Sequence, residues 1–158
     1  MISPTHPLRR IFHELVRDCF RDTLPRKDAE IAAYVADMLT DFSSTDALYQ
    51  VRDAEGHPVL DLEAMLVAAD PVHGTAPSFD AERRLRKYIG DYLLFSAGMA
   101  PKNAASPQRR SEMVRNGQES YWVVSQFNLF EYESFEPCVD GLQAVYAKLQ
   151  QGQTRLLM

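Results

Sequence analysis

The 158-residue chain is 46% hydrophobic and 25% charged and carries a net charge of −5 at neutral pH. Those proportions exclude a disordered or low-complexity chain, and the length fits a single helical domain over residues 1–150 with a tail, 151–158, that is expected to fray. The acidic balance disfavours a general nucleic-acid binder, whose affinity rests on cations held against phosphates.

The first helix is read from Leu8, Ile11, Phe12, Leu15, Val16, Cys19 and Phe20, spaced by three and four residues with Arg9, Arg10, Glu14, Arg17 and Asp18 between them. Leu24-Pro25 ends it. A second helix places Ile31, Tyr34, Val35, Met38, Leu39 and Phe42 on one face, with Asp28 as a candidate cap and Ser43-Ser44 at its end. The short link predicts an antiparallel helical hairpin.

Residues 45–60 fit either a short helix or an extended piece, turning at Asp53-Ala54-Glu55-Gly56; a small hairpin near residues 48–60 is the second choice. Asp61 caps a short helix carrying Leu62, Met65 and Leu66. The loop from Asp70 to Ser78, with Pro71, Gly74 and Pro77, is the expected mobile segment.

The longest helical pattern spans 79–98, with Leu85, Tyr88, Ile89, Tyr92, Leu93 and Ser96 in one stripe and Leu94 and Phe95 beside it. A helix apolar over so much of its girth is buried on several sides or faces a partner. Gly98 is expected to cap it, with Pro101 beyond. Ser106-Pro107 starts a helix over 107–128 carrying Met113, Val114, Gly117, Tyr121, Val124 and Phe127. A last helix carries Phe135, Cys138, Val139, Leu142, Val145, Tyr146 and Leu149, with Pro137 in its first turn; Leu156-Leu157-Met158 follows in the tail. The fold class is therefore all-α, a compact bundle of five or six helices.

A chain this long buries a core without metal, cofactor or disulfide, and no cofactor is implied. Cys19 and Cys138 lie on apolar stripes and read as small buried hydrophobes. The segment Met1-Ile2-Ser3-Pro4-Thr5-His6-Pro7 lacks the pattern of a signal peptide. The apolar-rich stretch from Tyr92 to Pro101 falls far short of the about 20 residues that span a bilayer. The expected location is the cytoplasm, away from membranes.

Chemical motifs are scarce. No Glu-x-x-His pair supports a di-metal centre, since Arg10, Ala54 and Asp70 stand three residues before His13, His57 and His73. The Asp53–Gly56 segment fails as a calcium loop because Val51 occupies the first ligand position. Neither a Gly-x-Ser-x-Gly elbow nor a phosphate-binding glycine loop is present, which leans against an enzyme.

Two features merit structural attention. Arg83, Arg86 and Lys87, flanked by Arg84, would join Arg109, Arg110 and Arg115 in an anion-binding patch if their helices pair. Antiparallel pairing would separate them, and Arg86–Glu82 and Lys87–Asp91 pairs would make an ordinary solvated face.

The second feature is Gly90, which costs its helix about 1 kcal/mol relative to alanine and so implies a close neighbour. A crossing that brings Gly90 or Ala97 near Gly117 would set Asp91 among Tyr88, Leu94 and Phe95, partnered by Lys87, Tyr121 or the backbone. Asp91 then either locks two helices or anchors a ligand in a pocket lined by Tyr88, Tyr92, Tyr121 and Trp122.

The segments Ile89-Gly90-Asp91-Tyr92-Leu93-Leu94-Phe95-Ser96-Ala97-Gly98 and Gly117-Gln118-Glu119-Ser120-Tyr121 together resemble a pattern found in uncharacterised bacterial helical proteins. The resemblance implies a shared helix–helix contact and no particular activity. The leading functional expectation is a non-enzymatic interaction or scaffold protein that self-associates or binds a protein partner. The alternative is a small-molecule-binding bundle, or an enzyme, with its pocket between helices 79–98 and 107–128.

Overall fold

The computed structural model describes residues 7–21, 29–44, 48–52, 55–59, 61–100, 106–124 and 135–157, with side chains as far as Gln151. Six named helices follow in chain order among the described residues: α1 (Pro7–Phe20), α2 (Ala29–Phe42), α3 (Leu62–Ala69), α4 (Phe79–Met99), α5 (Pro107–Val123) and α6 (Phe135–Leu157). There is no strand among the described residues, and the fold is all-α, as the periodicity predicts. The Leu24-Pro25 stop, the Asp28 cap, Phe127 and residues 101–105 lie outside the described residues.

The helix starts obey their capping chemistry. Asp61 accepts from the Ala64 amide, Ser78 from Ala81 and Ser106 from Arg109, each from an extended backbone. Pro107 occupies the first turn of α5, where its missing N–H is not needed. Pro137 likewise falls in the first turn of α6. The backbone of α6 runs on to Leu157, so a helix continues where the tail was expected to fray.

α1 and α2 form the expected antiparallel hairpin. Arg9 on α1 donates to Asp37 at 2.6 Å and to Asp41 at 3.3 Å on α2, and His13 meets Asp37 at 2.8 Å. The histidine is thus a member of an ion-pair row at the rim of the hairpin. Among the described residues, no group of His, Cys, Asp and Glu side chains could hold a metal.

Between α2 and α3 both readings have a part: Leu48 is helical, its amide donating to the Ser44 carbonyl at 3.1 Å, and a minimal hairpin follows it. One antiparallel bridge joins Arg52 to Pro58, and the Val59 amide donates to the Val51 carbonyl at 2.8 Å. Gly56 supplies the turn with φ of 85°, a backbone that residues with a Cβ rarely adopt.

The segment from Asp70 to Ser78 carries its own hydrogen-bond network. The Asp70 carboxylate accepts from the Val72 and His73 amides at 2.9 and 3.0 Å. The Gly74 and Ala76 amides donate to the Asp70 carbonyl, and Thr75 donates to Val67. Gly74 lies so close to the Val67 carbonyl that an added Cβ would stand 2.0 Å from its oxygen.

α4 is the central helix, which explains its apolar girth. It packs on α3, α5 and α6, and its aromatic side chains reach α2, where Phe42 meets Tyr88 and Phe95 edge to face. Ile89, Leu94 and Ala97 are fully buried. Gly98 is not the expected cap. It lies inside the helix, where it admits Leu142 of α6, and Ala100 forms the cap. Gly141 of α6 in turn admits the ring of Phe20 from α1, closing the bundle.

No helix of the described residues is long and apolar enough to cross a membrane. Cys19 is part-buried on α1, and Cys138 is wholly buried in α6.

Candidate functional site

The polar centre of the fold is Asp91, only 5% exposed in the middle of α4. A buried carboxylate is costly unless its oxygens are filled. Here they are. Oδ1 accepts from the hydroxyls of Tyr34 on α2 and Tyr121 on α5, both at 2.5 Å. Oδ2 accepts from Lys87, one helical turn earlier, at 3.0 Å. The Lys87 ammonium also stands 5.1 Å from the centre of the Tyr34 ring, a cation–π distance. Asp91 therefore fastens three helices.

Two aromatic insertions position these groups. Gly90 leaves its face of α4 bare, and the Tyr121 ring fills the space; a Cβ there would come within 2.7 Å of it. Gly117, one turn before Tyr121, leaves room for Phe135 of α6, where a Cβ would come within 2.1 Å of the ring. Phe135 packs on Tyr121 with ring centres 5.7 Å apart. Each of the two glycines admits an aromatic ring from another helix, and Gly90 is the point of close approach of α4 and α5. The Tyr121 hydroxyl is held on Asp91 by packing on both sides of its ring.

The acidities follow from this burial. The Tyr121 phenol is held well above its ordinary value by burial first and by the Asp91 charge second. Tyr34 is raised for the same two reasons. Tyr88, whose hydroxyl donates to the Leu48 carbonyl at 2.6 Å, is pushed up to about 12, chiefly by burial. All three phenols are neutral donors near neutral pH, which is what a carboxylate or carbonyl acceptor needs.

The five residues expected to line one pocket separate into different settings. Asp91 and Tyr121 bond each other, Tyr88 is tied to Leu48, Tyr92 faces a groove, and Trp122 is 64% exposed on the outer face of α5. Tyr34 completes the cluster and was absent from the expectation. Its place on an amphipathic stripe made it look like core, and nothing in the sequence ties position 34 to position 91.

The basic residues do not gather either. Arg86 approaches Ser120 at 3.5 Å, not Glu82, while Ser96 shares a groove with Arg109. α4 and α5 are thus antiparallel, and Arg83, Arg86 and Lys87 lie at the opposite end of the pair from Arg109 and Arg110. Lys87 is committed to Asp91, and Arg110 bonds Asp140 of α6 at 2.5 Å.

An open groove of about 370 Å³ runs between the α4–α5 pair and the start of α3. Leu62, Leu93, Met113 and Tyr92 supply its apolar wall; Asp61, Ser96, Arg109, Glu112 and Asn116 supply its polar rim. Comparison of the chain with protein-family models, with curated proteins and with solved structures finds no match.

Proposed function

We propose that the chain is a non-enzymatic interaction protein that self-associates through the end of the α4–α5 pair carrying Trp122 and Phe79. The observation that carries this reading is the exposure of those two rings, 64% and 67%, where most other aromatic side chains among the described residues are turned inward. Both belong to one end of the antiparallel pair, since Arg86 of α4 meets Ser120 of α5. Exposed tryptophan is the residue type most often found at the energetic centre of protein interfaces. The Asp91 cluster supports the reading, because both oxygens of that carboxylate are already engaged, Oδ1 by Tyr34 and Tyr121 from neighbouring helices and Oδ2 by Lys87 of its own helix.

Light scattering on the size-fractionated protein tests it, and the single tryptophan gives a second readout. The wild type is expected to elute as a dimer, and its tryptophan emission to move to shorter wavelength as concentration rises. Trp122→Ser should give a monomer with unchanged helical circular dichroism. A wild-type monomer at all micromolar concentrations overturns the proposal.

A second reading, a small-molecule-binding bundle, is favoured by the groove between α4 and α5. It occupies the seam expected for a pocket, although Tyr92 is its only wall residue from the expected set. Amide-resonance changes at Leu93 and Met113 on titration with a neutral apolar probe would support it, and their absence would remove it.

A further inference from the structure

The groove carries both an apolar wall and an unmatched pair of charges, and we infer that it takes a small zwitterion with an apolar side group: a free α-amino acid of the leucine, methionine or phenylalanine type. The inference rests on the small-molecule reading of the groove.

Its volume of about 370 Å³ lies at the lower end of the range that small-molecule sites occupy, roughly 300–1,000 Å³. Leu93 and Met113 face it from α4 and α5, and Tyr92 adds an aromatic face. That wall selects a branched or aromatic side group over a polar one.

The rim selects the charges. Asp61 is already engaged as the cap of α3, accepting from the Ala64 amide at 3.2 Å. Arg109 and Glu112 remain, three residues apart on one face of α5, and no side-chain ion pair joins either of them to another described residue. Arg109 presents a planar fork that suits a carboxylate, and Glu112 presents an acceptor that suits an ammonium. A free amino acid carries both groups on one carbon, so it can span the two side chains while its side group lies on the Leu93–Met113 wall. A lone carboxylate would leave Glu112 facing it, and a lone amine would face Arg109. An internal peptide segment carries neither charge.

Calorimetric titration of the full chain with L-leucine and L-phenylalanine tests this, alongside N-acetyl-leucine, leucinamide and the neutral probe isoamyl alcohol. The amino acids are expected to bind saturably at millimolar concentration or below. Blocking either charge should weaken binding by about tenfold, the loss of one charge-assisted contact. Arg109→Gln should erase the preference for leucine over leucinamide, and Glu112→Gln the preference over N-acetyl-leucine. Both positions are exposed, so both variants should keep wild-type helical content. If isoamyl alcohol perturbs Leu93 and Met113 but leucine binds no more tightly, the zwitterion inference is overturned and the groove reading survives. If no probe binds, both fall.

Discussion

At the scale of single residues the molecule turns on how Asp91 is satisfied. Two phenols share Oδ1, so losing one leaves the other, and the two losses should not be equal. Tyr121 is fully enclosed, and water cannot take the place of its hydroxyl; Tyr34 is only part-buried, and water can. Tyr121→Phe should lower stability by about 1.5–3 kcal/mol, the range for a hydrogen bond to a charged group, and Tyr34→Phe by less. The double variant should cost more than the sum, because it leaves Oδ1 with neither donor. Urea unfolding midpoints of the four proteins measure this, and strict additivity would refute the shared-acceptor account. Gly90 gives a second case. Alanine gains about 1 kcal/mol of helix propensity, yet its Cβ would press on a ring whose hydroxyl is pinned, an overpacking cost of about 1–3 kcal/mol. Gly90→Ala should therefore destabilise the wild type and stabilise a Tyr121→Leu background. Part of this cluster was legible in the sequence: a helical glycine asks for a close neighbour, Lys87 stands one turn from Asp91, and Tyr121 was among its candidate partners. Tyr34 was not legible, because a tyrosine on an apolar stripe has the same pattern whether its hydroxyl meets water or a carboxylate 57 residues away.

At the scale of elements, local chemistry was readable and long-range packing was not. The caps at Asp61 and Ser106 and the proline after Ser106 depend on neighbours within four residues, and they appear where the sequence puts them. Gly98 misled because glycine near a helix end has two uses, a left-handed cap or a notch for a neighbour; Leu142, 44 positions away, decides for the notch. The Asp70–Ser78 loop is a related case. Its proline and glycine content signals a turn but not the bonds inside it, in which Asp70 turns its carboxylate onto two backbone amides. Those amides hold the Asp70 pKa below its ordinary value by favouring the charged carboxylate. The sign follows: the folded state holds the charged form, so this contribution is present above the ordinary carboxylate value and fades as pH falls through the lowered one. Asp70→Ala should speed amide exchange at Val72, His73 and Gly74 and leave the α4 core amides protected. Gly74→Ala should do so more strongly, because the Val67 carbonyl it meets is backbone and cannot turn aside. Unchanged exchange in both variants would mean that the loop is ordered by something else.

At the scale of the whole molecule, the buried phenols couple the fold to alkaline pH. Tyr34 and Tyr121 tie α2 and α5 to the central helix, and both ionise far less readily in the folded chain than an exposed tyrosine, whose ordinary value is about 10. As pH rises past about 10 the unfolded chain releases these protons first, so folding loses about 1.4 kcal/mol per phenol for each further pH unit. The contribution is complete below about 10 and drains away above it, and Tyr88, held up to about 12, adds to the same limb. The chain has seven tyrosines, so the effect can be resolved spectroscopically. Tyrosinate absorbance should rise in two stages: a gradual one from the more exposed phenols, and a steep one coincident with loss of helical ellipticity, when α2 and α5 part from α4. In the Tyr34→Phe/Tyr121→Phe double variant the steep stage should shrink, and stability should fall less with pH above 10 even though the protein is weaker at neutral pH. A double variant that is weaker at neutral pH but falls as steeply above it would place the alkaline sensitivity elsewhere in the bundle, and Asp91 would then be a local fastening with no hold on the global transition.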